Sequence, residues 1–228
     1  MTYAPPPVQR LRLVYSKKGD VRYIGHLDEA RFWERVLRRA DLPLAYTHGY
    51  NPQIRIRFAA ALPVGVAGEN ELLDILLAAR MGPDEALSAI AKKLPPGFRA
   101  KSLTEVALKL PAMQASLRAA IYQVCWQDLP AGLLTQQVET LLQAKKILRP
   151  HFKKPNKQYD LRPRIQTITI QSPTPPCLHL TLQAGSQGNA RISEVIAALG
   201  LEAIPHTILR KQLILDEPHF DNSPGIVL

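Results

Sequence analysis

Residues that commonly build catalytic and metal centres are scarce in this 228-residue sequence. Cysteine occurs only twice, as Cys125 and Cys177, and neither has a partner at CxxC spacing, which leaves no zinc or iron–sulfur motif. Cys125 lies in an apolar stretch and is expected to be a buried thiol. Both cysteines are expected to be reduced, as is usual in cytoplasmic proteins. No uncharged apolar run reaches the roughly 18 residues of a membrane-spanning helix, so no membrane association is expected.

Glycine motifs that cradle phosphates are also missing. Neither GxGxxG nor GxxxxGK[ST] occurs, and Gly65 and Gly68 stand in a loop without either pattern. No pair of histidines has metal-ligand spacing with an acid on one helix face, and serine, cysteine and histidine form no nucleophile signature. The sequence therefore predicts no nucleotide or other cofactor, no metal site and no catalytic activity of its own.

Acidic residues are outnumbered by basic ones. The chain has 29 lysines and arginines against 19 aspartates and glutamates, which gives a net charge of +10. A positive field of this kind attracts polyanions such as RNA, DNA or acidic lipid, without selecting among them. The apolar fraction of 46% is ordinary for a folded protein. A folded, basic, cytoplasmic protein is therefore expected.

Hydrophobic periodicity divides the chain into two similar halves, and the first is expected to cover residues 10–110. Its predicted elements are a strand at 10–15, a helix at 26–40, strands at 44–48, 53–61 and 71–77, a helix at 83–94 and a strand at 98–106. This β-α-β-β-β-α-β order approaches a split βαβ, ferredoxin-like domain with one extra hairpin strand. Such a domain packs its helices on one face of an antiparallel sheet and leaves the other face open.

The second half, residues 111–217, repeats the theme. Its predicted elements are a strand at 117–126, a helix at 133–145, paired strands at 164–171 and 177–183, a helix at 192–199 with Gly200 as its C-cap, and a strand at 208–215. The predicted fold class is α+β, with two ferredoxin-like domains in tandem. Residues 1–9 are expected to be a Pro-rich linker or tail, and residues 218–228 a loose C-terminal tail.

Positive charge is densest at 145–164, a predicted basic hairpin of the second half. This stretch holds eight lysines and arginines against one acid, with His151, Phe152 and Tyr159 interleaved. Lysine and arginine neutralise phosphates, and aromatic side chains can stack on unpaired bases. The alternative interpretation is a solvated, flexible hairpin whose charges face only water.

A second basic set lies in the first half. Its members are Lys17, Lys18, Arg22, Arg31, Arg35, Arg38 and Arg39, with Asp20, Asp28, Glu29 and Glu34 among them. A structural role competes here, because Glu34 and Arg38 have the i,i+4 spacing of an ordinary helix-surface pair. The turn Gly49-Tyr50-Asn51-Pro52 reverses the chain and is a candidate for presenting Tyr50 and Asn51 to a ligand.

Several segments, taken in order, resemble a known family. They are LVYSKKG at 13–19, YIGHLD at 23–28, RVLRRA at 35–40, YTHGYNP at 46–52, ALPVGV at 61–66 and YDLRP at 159–163. This combination resembles the radical-SAM-linked family, a domain of unknown function found beside, or fused behind, cobalamin-binding radical-SAM proteins. The family usually has phenylalanine in place of Tyr50, which keeps an aromatic ring. The Pro-rich start resembles the linker of the fused forms.

The resemblance implies partnership with a cobalamin-binding radical-SAM protein, and the family's gene neighbourhoods imply RNA biology. The chain is therefore expected to be a non-catalytic accessory module that binds RNA for modification by its partner. The expected RNA-binding residues are Lys17, Lys18, Arg22, His26, Arg38, Arg39, His48, Tyr50, Asn51, Arg55, Arg57, Lys153, Lys154, Lys157, Arg162 and Arg164.

Two other functions stay open. The first is a protein-docking module that binds the radical-SAM partner without touching RNA. The second is a metal-independent endoribonuclease in which His26 and His48 act as acid–base groups, although His26 stands at a helix start, where capping or packing is the simpler role. That alternative rests on fold analogy alone.

Overall fold

The computed structural model describes residues 5–151, 154–173 and 175–217, which form two compact units that meet in sequence between Ser116 and Leu117. Antiparallel strands and helices make up both units, so the expectation of a mixed helix-and-sheet protein is confirmed. Part of the predicted N-terminal tail, at 1–4, and the predicted C-terminal tail at 218–228 lie outside the described residues.

The first unit is a four-stranded antiparallel sheet with two main helices. Its elements are β1 (Gln9–Lys17), a 3-10 helix (Gly19–Tyr23), α1 (His26–Arg39), β2 (Ile56–Phe58), β3 (Ala67–Leu77), α2 (Pro83–Ala91), β4 (Phe98–Val106) and the one-turn α3 (Met113–Ser116). The strands lie in the order β4-β1-β3-β2. The long strand β1 is therefore central, and its side chains must be accommodated on both faces of the sheet.

The predicted strands at 44–48 and 53–61 are much reduced. Leu44 forms only an isolated bridge with Leu77, and β2 pairs with residues 73–75 of the same strand. Both segments reach the same edge of β3, and they pair with each other only through an isolated antiparallel bridge between Tyr46 and Ile54. The extra hairpin strand expected from the sequence is absent from the described part of this unit, which has the order β-α-β-β-α-β.

The second unit has a sheet of the same strand order and a separate hairpin. Its elements are β5 (Leu117–Cys125), α4 (Ala131–Gln143), β6 (Leu148–His151), β7 (Lys154–Asp160), a 3-10 helix (Arg162–Arg164), β8 (Ile165–Pro173), β9 (Pro176–Gln183), α5 (Ile192–Ala198) and β10 (Thr207–Leu215). The sheet runs β10-β5-β9-β8, all antiparallel, while β6 and β7 pair only with each other. The basic stretch thus forms a hairpin inserted between α4 and β8.

The core of the first unit follows from the alternation of apolar residues along β1 and their helical spacing along α1. Leu11, Leu13 and Tyr15 alternate along β1 and face α1, whose Trp33 and Leu37 are wholly buried. The Tyr15 and Trp33 rings meet edge to face with their centroids 4.8 Å apart. Burial of each such side chain contributes about 1.5–3 kcal/mol, so this face fixes α1 on the sheet. The opposite face of the helix is left to charged residues.

Cys125 and Cys177 form a disulfide between β5 and β9. The two residues are direct partners in the strand register, with their Cα atoms 4.1 Å apart. The expectation of two reduced thiols was therefore wrong. The spacing of 52 residues gives no local signal, and the pairing exists only because β5 and β9 are neighbours in the sheet.

A buried charged cluster lies between β1 and the start of α1. The Lys17 ammonium donates to Glu29 Oε2 at 2.8 Å and to the Ile24 carbonyl at 2.8 Å, while the Tyr15 hydroxyl donates to Glu29 Oε1 at 2.7 Å. Lys17 and Glu29 are 0% and 1% exposed. Charges so far from water are tolerated only with good partners, and here both ions have them. The cluster locks the first turn of α1 onto the central strand.

A second buried cluster occupies the opposite face of the same strand. Asp74 of β3 accepts hydrogen bonds from Arg10 Nε at 2.9 Å and from Arg12 Nε at 2.8 Å. The Arg10 guanidinium also donates to the Leu110 and Pro111 carbonyls at 2.7 and 3.0 Å, so the chain after β4 crosses this face. All three charged side chains are at most 1% exposed. The expected open face is therefore covered around these residues.

A more exposed ion pair links three strands at the sheet margin. Glu69 on β3 accepts from Lys18, just after β1, and from Lys101 on β4, both at 2.7 Å. Partial burial raises the pKa of Glu69, but the hydrogen bonds and charges of Lys101 and Lys18 outweigh it and lower the pKa to about 2. Glu69 is thus ionised down to strongly acidic solution, and it holds Lys18 at the sheet.

We expect Glu29→Gln to lower the free energy of unfolding by about 3 kcal/mol, because it leaves the Lys17 ammonium buried without a counter-charge. Urea denaturation monitored by circular dichroism measures the change. Asp28→Asn on the same helical turn is the control, since its pair with Arg31 is exposed and such pairs contribute at most about 1 kcal/mol. Equal losses in the two variants would contradict a special role for the buried cluster.

The Glu69 pairs should contribute stability in a defined pH range. Because the folded-state pKa of about 2 lies below the ordinary value of 4.5, the contribution is complete above pH 4.5 and is lost as the pH falls towards 2. Glu69→Gln should therefore be less stable than wild type at pH 7, and the difference should vanish near pH 2. Thermal unfolding across this range measures it. A difference that is independent of pH would refute the assignment.

Candidate nucleic-acid interface

Residues at the start of the second basic set are engaged with other groups. Lys17 is fully buried against Glu29, so it cannot contact a phosphate, and its inclusion among RNA-binding residues is corrected. Lys18 is 48% exposed but paired with Glu69. Arg22 lies over the ring of Tyr23 with its Cζ 4.9 Å from the centroid, and it donates to the Tyr23 hydroxyl at 2.9 Å.

Three arginines of α1, in contrast, are not paired with any of the described acidic residues. Arg35, Arg38 and Arg39 are exposed, and none has a carboxylate partner in the described parts of the chain. The anticipated Glu34–Arg38 salt bridge is among the pairs that do not form there. Arg38 instead lies over the ring of Tyr46, with its Cζ 5.8 Å from the centroid. The C-terminal half of α1 therefore presents a row of three arginines without carboxylate partners in the described structure.

A loop with a fully exposed aromatic residue stands next to this row. Tyr46 forms an isolated bridge with Ile54, and the Thr47 N–H donates to the Gln53 carbonyl at 2.8 Å, which closes the loop at its base. Tyr50 at the tip has 104% relative exposure, and Asn51 is also exposed. The Arg38–Tyr46 contact ties the base of the loop to α1. Cation and aromatic groups thus occur together on one part of the first unit.

The remaining candidates of the first unit are dispersed. The His26 ring packs edge-on against Phe58, with centroids 5.1 Å apart, which is the packing role that the sequence allowed. His48 is exposed on the loop. Arg57 is exposed and pairs in register with Asp74, whereas Arg55 is half-buried. These two arginines lie on the sheet face away from the helices, since Ile54, Ile56 and Phe58, which alternate with them, pack in or against the core.

The hairpin of the second unit carries fewer free cations than its sequence implied. Arg162 donates to the Leu142 carbonyl at 3.2 Å, and Arg164 donates to the Asn189 carbonyl at 3.0 Å. Lys157 is exposed, only the backbone of Lys154 is described, and Lys153 lies outside the described residues. Two of the five hairpin candidates thus have structural partners.

Tyr159 anchors the hairpin to the rest of its unit. Its hydroxyl donates to Glu194 on α5, and the guanidinium of Arg164 lies over its ring, 4.1 Å from the centroid. Burial and the Glu194 carboxylate raise the pKa of Tyr159 to about 12. Asp160 accepts from the backbone N–H groups of Ile147 and Arg162, which lowers the pKa of its carboxyl. The hairpin base is therefore a fixed structure, and Tyr159 is not free to stack on a base.

A groove beside α1 was missed by the sequence analysis. It has a volume of about 370 Å³ and is lined by Phe32, Arg35, Val36, Arg39, Lys93 and Pro95. Of these, only Arg39 was among the expected RNA-binding residues. The available signal was weak: Lys93 follows a different helix from the arginines, and nothing in the sequence places it next to them. In the ranges that the structure describes, no three metal-ligating side chains are gathered, and no helix is long and apolar enough to cross a membrane.

Comparison with known structures gives a weak match. A chain in a crystal structure of a Cbf5-Nop10-Gar1 complex is similar over 91% of this chain and 49% of its own length, at 12% identity and a TM-score of 0.49. This chain thus spans about half the length of the one it matches. Similarity at this level supports no conclusion about function. No curated protein matches the chain.

Comparison with protein families gives a definite result. The model of a family described as uncharacterized protein conserved in bacteria (DUF2344) matches residues 10–192, which is most of the chain and includes parts of both units. The description names no activity, ligand or partner, so the radical-SAM connection stays a prediction. On the extent of this match, the chain belongs to the DUF2344 family of bacterial proteins of unknown function.

Proposed function

We propose that this protein is a non-catalytic accessory module that binds RNA. The observation that carries the proposal is the loop at 47–53. It bears fully exposed Tyr50 at its tip, and Tyr46 at its base contacts Arg38, one of the arginines of α1 without a carboxylate partner among the described residues. An aromatic ring without a packing partner and cations without carboxylates are the two groups that hold single-stranded nucleic acid. Bases stack on the ring, and phosphates pair with the cations.

The charge of the chain supports the same ligand. The net charge of +10 attracts a polyanion, while Glu29 and Asp74 are buried against internal cations and oppose it little at the surface. Duplex RNA does not offer a free base to an exposed tyrosine. Unpaired segments such as loops and strand ends are therefore the proposed target.

The fold class of each unit and the identity of the partner protein form part of this proposal. The strand order in each unit, with the first and third strands central, supports assigning both to the split βαβ, ferredoxin-like class. The motifs of the radical-SAM-linked family support a radical-SAM partner that modifies the bound RNA. Cluster ligands would come from that partner, because both cysteines of this chain are joined in one disulfide.

We expect binding of a single-stranded oligoribonucleotide to weaken about tenfold in Tyr50→Ala, because base stacking on one aromatic ring contributes about 1–3 kcal/mol. Fluorescence anisotropy over a series of salt concentrations measures the affinity. For wild type, log K should fall linearly with log salt through counterion release, and Tyr50→Ala should keep that slope because no charge is lost.

Two control variants and one further test variant sharpen this measurement. Tyr50→Phe keeps the ring and should bind as wild type does. Ile204→Ala removes a similarly exposed apolar side chain, 88% exposed, from the second unit and should also have no effect. Arg38→Ala should weaken binding and reduce the salt slope. Affinity that does not change with salt, or that is insensitive to Tyr50→Ala, would refute the proposal.

A second candidate function, protein docking, is favoured by a separate apolar patch. Tyr23 and Val64 are 58% and 62% exposed. The Gly65 N–H donates to the Arg22 carbonyl at 2.9 Å, which brings Val64 beside Tyr23. Exposed apolar side chains grouped in this way are typical of protein-interaction surfaces. The radical-SAM protein would be the partner in this alternative.

Capture of a purified cobalamin-binding radical-SAM protein from the same bacterium tests the docking candidate. If docking is the function, Val64→Asp should abolish capture, because burying an unpaired carboxylate in an apolar interface is unfavourable. Nuclease treatment should have no effect, and neither should Ile204→Asp. Loss of capture on nuclease treatment would instead indicate that RNA bridges the two proteins.

A further inference from the structure

The groove beside α1 brings three positively charged side chains together on the first unit. Arg35 and Arg39 lie one helical turn apart on α1, and Lys93 faces them from the segment that follows α2. All three side chains are exposed, and none has a carboxylate partner among the described residues. Other exposed cations of this unit do have one, for example Arg31 with Asp28 and Arg80 with Glu105. The groove thus gathers, in one place, three exposed cations that lack carboxylate partners in the described structure.

Helix stabilisation explains only part of this arrangement. A cation near a helix C-terminus interacts favourably with the last carbonyl groups, which accounts for Arg39 and Lys93 taken singly. Arg35 stands a full turn before Arg39, yet it lines the same groove. The two helix ends together contribute roughly one negative charge, since each carries about half a unit, and this leaves the three cations in excess.

The floor of the groove is apolar and rigid. Phe32, Val36 and Pro95 line it between the cations. The Phe32 ring is stacked on Phe98 of β4, with centroids 4.2 Å apart and an angle of 18° between the ring planes. A ring fixed by the core keeps the shape of the floor constant. The groove volume of about 370 Å³ also lies at the lower end of the range for small-ligand sites, roughly 300–1,000 Å³.

Charge matching selects among phosphate groups. An internal phosphodiester of RNA carries a single negative charge, whereas a phosphate monoester carries about −1.5 to −2 at neutral pH. Three converging cations complement the monoester better, and a guanidinium can donate two parallel hydrogen bonds to its oxygens. The apolar floor then lies where the adjoining sugar or base would be. A strand end fits this site better than the middle of a strand.

We propose that the groove lined by Arg35, Arg39 and Lys93 binds a terminal phosphate monoester of an RNA strand. The inference rests on the RNA-binding function proposed above and adds to it the class of RNA that is preferred. Such a site orients the strand, because only its phosphorylated end enters the groove. The loop with Tyr50 is then available to an unpaired base farther along the RNA strand.

Fluorescence anisotropy with three versions of one oligoribonucleotide tests the proposal. The versions carry a 5′-phosphate, a 3′-phosphate or hydroxyl groups at both ends, with an internal dye. We expect one of the phosphorylated versions to bind about tenfold more tightly than the unphosphorylated one, a ratio that corresponds to about one extra charge-assisted contact. In the double variant Arg35→Ala/Lys93→Ala this ratio should fall to about one.

A control with the same loss of charge is the double variant Arg31→Ala/Lys92→Ala. Both of its residues are exposed and neither lines the groove, so the preference for the phosphorylated end should persist. Circular dichroism verifies that each variant is folded. Loss of the preference in both double variants would indicate a general effect of charge and would overturn the site.

The possible results separate the two proposals. Binding of all three oligoribonucleotides with equal affinity would overturn the terminal-phosphate site and leave RNA binding intact. Failure of every oligoribonucleotide to bind would overturn the RNA-binding function itself. Adenosine 5′-monophosphate is added as a competitor to identify the source of the phosphate. If it competes as strongly as the phosphorylated strand, the ligand is a free nucleotide and the assignment to an RNA end is wrong.

Discussion

The first unit depends on the pairing of the charges that its central strand buries. β1 carries Lys17 on the face that packs against α1 and Arg10 and Arg12 on the other, and all three are at most 1% exposed. Glu29 pairs with Lys17, and Asp74 accepts hydrogen bonds from both Arg10 and Arg12. Without these two carboxylates the strand would hold unpaired ions away from water, which no apolar packing in the unit compensates.

This internal pairing also shapes the surface. Because Glu29 points inward from α1, the helix has one fewer carboxylate available to its outer arginines. Arg35, Arg38 and Arg39 are left without carboxylate partners in the described structure and form a row with the Tyr50 loop on one side and the groove of Lys93 on the other. The stability of the helix and the charge of its outer face thus have a common origin. The burial of an acidic side chain against the sheet thus influences which surface cations have a carboxylate partner.

The second unit uses a different arrangement with the same strand order. Its central strand β5 is joined to β9 by the disulfide between Cys125 and Cys177. Its extra element is the β6–β7 hairpin, whose base is fixed by Tyr159 on Glu194 and by the backbone contacts of Asp160. Arg162 and Arg164, which were expected from the sequence to bind RNA, instead donate hydrogen bonds to carbonyl groups of the same unit. The exposed loop of the first unit is therefore a stronger candidate for RNA binding than the hairpin of the second unit.

The sequence by itself determined the helices and the long strands. The apolar spacing of α1 and the alternation of β1 are local patterns, and both elements lie within a few residues of their predicted bounds. Composition alone gave the net positive charge. Only the tertiary structure decided which cations are available to a ligand. Lys17 and Arg38 both belong to the same basic set in the sequence, yet Lys17 is buried against Glu29 and Arg38 lies over Tyr46 at the surface. The disulfide and the groove of Lys93 likewise join residues from separate segments. Such groups come together through strand pairing and helix packing, and a local pattern contains no information about either.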